Sequence, residues 1–362
     1  MNSNETVNGT GRRSVSEAGC FVVDPSAIKG LRIFAYCIII IVSLLGNAMV
    51  VAVIFRNKSM WKTVNFFIVN LSLADLLVTI TYMPRIISLA YAGYAWQILG
   101  GIGLVFCKIA CFNEVAIFVA IFTIVAISFD RFFAVVFPLR RFMSVPICQG
   151  LIFCIWMAAL AAGFPEFYAI ELRLYQSSVF CYLDLDFAFG PGSSKAYYKF
   201  IIIGAFAVPL AIITVLYSAI ILTLIKNRNI PGQSSSVNDA QARIREESKR
   251  KVLKMVSIVV GTFILCWLLY FIHFIVYSYG ITLPCELMFL RLFLAHFHCA
   301  FSPFIYGFYN AKFRDGMKSI ITGNTTRSTR NEPRGNQVAP ANTTQNNSGQ
   351  NTAFTNNGFE TT

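Results

Sequence analysis

Val64-Asn65-Phe66-Phe67-Ile68-Val69-Asn70-Leu71-Ser72-Leu73-Ala74-Asp75-Leu76-Leu77-Val78-Thr79-Ile80 opens an apolar run that extends over residues 64–89. About 20 largely apolar residues cross the hydrocarbon core of a bilayer as a helix, so the run is long enough to span. Near its middle stands Asp75, a carboxylate among aliphatic neighbours. Ionisable groups at that depth are costly to keep and are a mark of function. The stretch therefore predicts a membrane helix with a working residue inside it.

Six further runs meet the same length test, at residues 31–55, 103–136, 148–169, 198–225, 252–277 and 287–309. The fold class predicted is an all-α membrane protein, a bundle of seven transmembrane helices. Composition agrees: 56% of residues are hydrophobic, 13% are charged, and the mean hydropathy is +0.62. A water-soluble core of this chain length could not hide so much apolar surface. The net charge of +13 comes from 30 Lys and Arg against 17 Asp and Glu. These cations sit between apolar runs and not in a polar basic domain, which argues against nucleic acid as a partner.

Charge placement orients the bundle. Lys and Arg gather in the loops on the cytoplasmic side, and here they gather at Arg56, Lys58 and Lys62, at Arg140 and Arg141, and densely between Lys226 and Lys254. Segments 90–102 and 280–286 contain none. The N-terminus is thus expected outside and the C-terminus in the cytoplasm of a multi-pass plasma-membrane protein, although Arg12, Arg13, Lys29 and Arg32 run against the rule. The polar first twenty residues do not resemble a cleavable signal peptide.

Four segments follow from this reading. Residues 1–30 form an extracellular tail in which Asn4 and Asn8 head glycosylation acceptor sequences. Residues 31–310 form the membrane domain. Residues 311–323 are expected to lie along the inner leaflet as an amphipathic helix against membrane lipid, with Phe313, Met317, Ile320 and Ile321 on one face. Residues 324–362 are polar and nearly free of aliphatics, so they are expected to be disordered. That tail offers Thr325, Thr326, Ser328 and Thr329 beside Arg327 and Arg330 as phosphorylation sites for a receptor kinase, with arrestin as the reader.

The remaining signals come one helix at a time. They are Gly46-Asn47; Asn70 with Asp75; Asp130-Arg131-Phe132 followed by Pro138-Leu139; Trp156 and Pro165; Pro209 and Tyr217; Phe263, Cys266 and Trp267; and Ser302-Pro303 with Tyr306. In order and at these depths they resemble the rhodopsin-like (class A) G-protein-coupled receptors across residues 31–321. The second helix is most similar to that of neuropeptide receptors.

The resemblance implies roles. Arg131, restrained at rest by Asp130, would swing inward on activation toward Tyr217 and Tyr306 to meet a heterotrimeric G protein. The bland alternative is an arginine that merely snorkels to the interface. Pro209, Ile121 and Phe263 match a packing switch and Trp267 a toggle above it. Asp75 would hold a sodium ion, or else would be protonated and hydrogen-bonded to Asn47. Ala120 and Ser302 depart from the usual residues around that ion, and His298 lies nearby. Leu269 stands where the sixth helix is expected to carry a proline. Cys107 and Cys181 match the pair that joins the third helix to the second outer loop. Cys107 is one residue closer to Arg131 than the family spacing, and Cys111, one turn deeper, is a rival. Cys20 and Cys285 are candidates for a second bridge. The ten cysteines form no CxxC pattern, and zinc was not expected.

Two apolar-alternating stretches, Ile170-Glu171-Leu172-Arg173-Leu174-Tyr175 and Val179-Phe180-Cys181-Tyr182-Leu183-Asp184-Leu185, flank Gln176-Ser177-Ser178 and predict a β-hairpin in the second extracellular loop. In the resembled family such a hairpin leaves the pocket open and goes with peptide ligands. The position of the third helix that faces the ligand is Asn113 if counted from Arg131 and Glu114 if counted from Cys107. Arg85, Glu166, Lys199 and Arg291 supply charges of both signs near the mouth, or else serve as structural pairs. The function predicted is a receptor for a neuropeptide or another peptide, needing no cofactor beyond the sodium ion. A class A receptor for a small molecule or lipid is the nearer alternative, and a secondary transporter the remote one. Three histidines and no nucleophile constellation argue against an enzyme.

Overall fold

The structure is a computed structural model that describes residues 24–138, 140, 142–175, 177–228, 237–281 and 283–323. Asn4, Asn8, Cys20, Leu139 and the phosphorylation sites Thr325, Thr326, Ser328 and Thr329 lie outside the described residues. Seven helices are long and apolar enough to cross a membrane: Ser26–Arg56, Thr63–Ala92, Gly100–Val136, Val145–Ala169, Ser193–Lys226, Leu253–Ser278 and Cys285–Tyr309. They are the seven spans predicted from apolar length, each within a few residues of its expected bounds.

Polar side chains tie the spans where lipid would offer them no partner. Asn70 Nδ2 donates to Thr123 Oγ1 (2.7 Å), and Trp156 Nε1 donates to Asn70 Oδ1 (2.8 Å), so one buried amide joins the second, third and fourth spans. Ser43 and Thr79 share a 2.7 Å bond between the first and second. Asn47 Nδ2 donates to the Cys299 carbonyl oxygen (2.9 Å), reaching the seventh. A Cβ on Gly46 would sit 2.8 Å from Pro303 Cγ. Glycine is thus what lets the first and seventh spans close, the small-residue contact that membrane helices favour.

The prolines act in different ways. At Pro84 the second span breaks into two helices, Thr63–Thr81 and Met83–Ala92, because proline sits comfortably in a new first turn and not inside an old one. Before Pro209 the fifth span widens into a π-helical turn over Ile202–Ala207, a common way to absorb backbone groups left without partners. The sixth helix runs unbroken over Val237–Ser278, through Leu269.

The third span contains a 3-10 turn, Ile109–Cys111, between helices Gly100–Lys108 and Phe112–Val136. Such a turn rises about 2.0 Å per residue against about 1.5 Å in an α-helix. Three residues therefore climb as far as four α-helical ones. That absorbs the residue missing between Cys107 and Arg131 without displacing either end.

Between the fourth and fifth spans β1 (Ile170–Tyr175) pairs antiparallel with β2 (Ser178–Leu183), Leu172 opposite Cys181. This is the predicted hairpin. Its end continues into a helix that was not foreseen, Leu185–Phe189, whose N-terminus is capped by the Asp184 carboxylate accepting from Phe187 N (3.0 Å). After the seventh span the helix Ala311–Thr322 buries Phe313 completely and packs Met317 and Ile320 on the bundle. Ile321 is 72% exposed.

Candidate functional site

The bundle carries three constellations, at the hairpin end, in the middle and at the opposite end. At the hairpin end Cys107 is bonded to Cys181, with their Cα atoms 5.6 Å apart, while Cys111 is buried and free. The staple pulls β2 over the third span. Trp96 N donates to the Val179 carbonyl oxygen (2.6 Å), Ala95 bridges to Phe180, and Arg85 lies 5.5 Å over the Trp96 ring with Nη2 3.5 Å from the Cys181 carbonyl oxygen. Arg85 is thus engaged with the hairpin. Arg173 of β1 pairs with Glu171 and, at 3.0 Å, with Asp184. Cys285 is also disulfide-bonded. Its expected partner, Cys20, lies outside the described residues.

Beneath the hairpin the two registers of the third span converge. The Tyr270 hydroxyl donates to Glu114 Oε1 (2.6 Å). Asn113 Nδ2 donates to the same oxygen (3.2 Å) and reaches the Tyr270 hydroxyl oxygen at 3.3 Å. Asn113 and Glu114 are both buried, so the choice between them dissolves: each faces the cluster. Glu114 Oε2 has no hydrogen-bond partner among the described residues. Glu166 of the fourth span is buried and close enough to interact with both Glu114 and Arg85. Arg291 of the seventh lies 5.5 Å over the Tyr270 ring and interacts with Glu114. Trp267 packs edge-on to Tyr270 at 5.3 Å. Lys199 stands apart: it is exposed on the fifth span and forms no ion pair among the described residues. Tyr270 escaped the sequence reading. Its signal was present, three residues beyond Trp267 and hence on the same face of the sixth helix.

In the middle, Ile121, Pro209, Phe263 and Trp267 line one apolar crevice with Phe206. Phe263 stacks with Trp267 at 5.7 Å and meets the His298 ring edge-on at 5.2 Å. Asp75 is not bonded to Asn47, contrary to one alternative read from the sequence. Its side-chain partner is the Cys299 thiol, which donates to the carboxylate. Among Asp, Glu, His and Cys side chains, a sulfur from Cys299 and a ring nitrogen from His298 gather with the Asp75 carboxylate. Sodium is a hard ion that needs several oxygens, whereas thiol and imidazole suit softer metals. The nitrogen and the sulfur suit such a metal better than they suit sodium.

At the opposite end Arg131 is paired with Asp130, its Nε donating to Oδ2 at 3.0 Å, and Thr63 donates to the other oxygen at 3.2 Å. Tyr217 of the fifth span lies within reach of Arg131, Ser128 and Ser257. Tyr306 is buried against Phe313 at 5.8 Å, and its hydroxyl has no partner among the described residues. Pro138 is exposed just beyond the third span.

A seven-helix membrane bundle with a stapled hairpin over a polar cluster at one end, and an Asp–Arg pair at the other, is the architecture of a membrane receptor. The chain belongs to the rhodopsin family of 7 transmembrane receptors, whose family model matches residues 46–306. It is accordingly a multi-pass G-protein-coupled receptor and not an enzyme. It is 31% identical to the Substance-P receptor of Mus musculus over 312 residues, covering 84% of this chain and 74% of that one. It is 32% identical to the Substance-K receptor of Homo sapiens over 302 residues, covering 81% and 73%.

Proposed function

We propose that this chain is a plasma-membrane receptor activated by a peptide, with its N-terminus and hairpin outside and its C-terminus in the cytoplasm. The ligand engages Asn113, Glu114, Arg85, Glu166, Trp267 and Arg291, shifts the helix bundle between two states, and exposes the Arg131 end to a heterotrimeric G protein. Lys199 contributes a positive charge at the rim. Asp130, Arg131, Tyr217 and Tyr306 form the relay, with Pro138 and Leu139 docking the G protein and Pro209, Ile121 and Phe263 repacking between the two ends. Asn4 and Asn8 carry glycans. Phosphorylation of Thr325, Thr326, Ser328 and Thr329 by a receptor kinase recruits arrestin, and the Ala311–Thr322 helix rests on lipid. The names of the relatives, the hairpin and the loop charges support this reading.

The observation that carries the ligand class is the buried Glu114–Tyr270–Asn113 cluster, with Glu166 and two arginines around it. A small apolar ligand has no use for charges of both signs, whereas a peptide with basic and amide groups does. Glu114 Oε2, still without a partner, is the atom that a basic or amide-bearing group would meet. Glu114→Gln removes the charge and keeps the shape. It is expected to weaken the agonist about tenfold or more, because truncating a buried charged pair costs about 2–5 kcal/mol and 1.4 kcal/mol is tenfold. Surface expression should be retained. Tyr270→Phe should weaken it less. Radioligand displacement and dose–response curves on intact cells check both, and unchanged potency in Glu114→Gln removes the carboxylate from the site.

A further inference from the structure

Asp75 of the second span and His298 and Cys299 of the seventh bring a carboxylate oxygen, a ring nitrogen and a sulfur within 4.8 Å of one another, all three buried. From these atoms we infer a site for a divalent transition-metal ion, zinc foremost, that clamps the second span to the seventh.

Three arguments lead there. The first is donor chemistry. Carboxylate, imidazole and thiolate are the side chains that bind zinc, with bonds of about 2.0 Å to nitrogen or oxygen and 2.3 Å to sulfur. Tetrahedral bonds of those lengths hold the ligand atoms roughly 3.3–3.5 Å apart, so the cluster needs only a small contraction to close on an ion. The fourth place is left for water or for Ser302, whose hydroxyl lies 3.5 Å from His298 Nε2.

The second is charge. A buried carboxylate in a membrane span needs a counter-charge, yet Asp75 forms no ion pair among the described residues and has a thiol, a weak donor, as its side-chain partner. Zinc would bind the Asp75 carboxylate and the Cys299 thiolate, with His298 neutral. Two negative charges then balance the ion, and the site as a whole is neutral, as an apolar interior demands. The Cys299 thiol proton, now given to Asp75, is released to solvent as the sulfur–metal bond forms, together with any proton on the carboxylate. Binding is therefore weaker at lower pH.

The third is placement. His298 and Cys299 are consecutive, so one turn of one helix presents two ligands to a single residue on another. The Cys299 carbonyl oxygen is already held by Asn47 at 2.9 Å, and the His298 ring abuts Phe263. The seventh span is therefore positioned from three sides around the site. An ion here joins elements that must shift for the bundle to change state, and it favours whichever state keeps the ligands together.

Cobalt(II) is the probe, since it replaces zinc and reports its ligands by absorption. Purified full-length receptor in lipid nanodiscs is titrated with Co2+. The expected result is one saturable equivalent, ligand-field bands of tetrahedral intensity, and a near-ultraviolet charge-transfer band from sulfur. Zn2+ should bleach the spectrum and raise the unfolding temperature, whereas excess Na+ should do neither. Cys299→Ser should abolish the charge-transfer band, His298→Asn should weaken uptake by about 10-fold or more, and Cys154→Ser, a free exposed cysteine elsewhere, should change nothing. The wild-type titration alone can overturn the inference: no saturable charge-transfer band, or displacement of cobalt by Na+, does so. A band that persists in monodisperse Cys299→Ser also overturns it.

Discussion

Arg131→Ala is expected to reduce agonist-stimulated nucleotide exchange to the level of membranes without receptor, while agonist affinity measured without G protein stays within about threefold. Arg131 is the cation at the inner end of the third span, and its partners in this structure are on its own helix: Asp130, itself steadied by Thr63 from the second span. Among the described residues no hydrogen bond or ion pair links it to the sixth span. In the proposed relay it leaves for Tyr217 and Tyr306 once the bundle opens, and the Tyr306 hydroxyl, which has no hydrogen-bond partner among the described residues, is the proposed receiving group. The pair is largely shielded, with side-chain exposures of 16% for Arg131 and 6% for Asp130, so removing the arginine leaves Asp130 held by Thr63 at some cost in stability, and surface expression of the variant is measured alongside coupling. The absence of G protein in the binding assay matters. Linkage makes a G protein raise agonist affinity by the same factor as the agonist raises G-protein affinity, so a coupling-dead variant would seem to bind poorly if both were present. A variant that still drives exchange at half the wild-type rate would make Arg131 a snorkelling residue and nothing more.

Cys181→Ser is expected to abolish specific agonist binding and to lower the unfolding temperature of purified receptor by several degrees. The bridge closes a separation of 74 residues, for which chain entropy gives roughly 4 kcal/mol. The bilayer already restrains the unfolded spans, so the measured loss should fall below that figure. Binding suffers more than stability. Cys181 anchors the strand whose register sets Val179 on Trp96 and whose carbonyl faces Arg85, and without it the hairpin roof has no covalent tie to the third span. Cys111→Ser is the matching control: the thiol is buried and unbridged, so unreduced peptide maps should show the Cys107–Cys181 link intact and binding unchanged.

The parts of this fold that the sequence made legible are those governed by one local variable. Apolar length set the seven spans, alternation set the hairpin, and the outward side of the membrane favoured a disulfide at Cys107. What stayed hidden depends on backbone irregularity or on partners distant in sequence. The 3-10 turn at Ile109–Cys111 leaves no compositional trace, so counting from its two sides gave two answers at Asn113 and Glu114, and only the turn reconciles them. The sixth helix begins at Val237, well before its apolar stretch, since Lys and Arg are good helix formers that hydropathy cannot see. Lys199 is exposed and pairs with no acid among the described residues, which its depth alone could not show. Around Asp75 the sequence pointed to His298 but not to Cys299, whose thiol reaches a carboxylate more than 200 positions away.

The most direct test of a peptide-activated, G-protein-coupled receptor is nucleotide exchange by a panel of heterotrimeric G proteins on membranes bearing this chain. The membranes are challenged with a neuropeptide library that includes substance P, substance K and neuromedin K, alongside a lipid and small-amine library. The account predicts saturable stimulation by at least one peptide, lost when that peptide is digested by protease beforehand and lost in Arg131→Ala. Stimulation by a lipid or amine with no response to any peptide would contradict it.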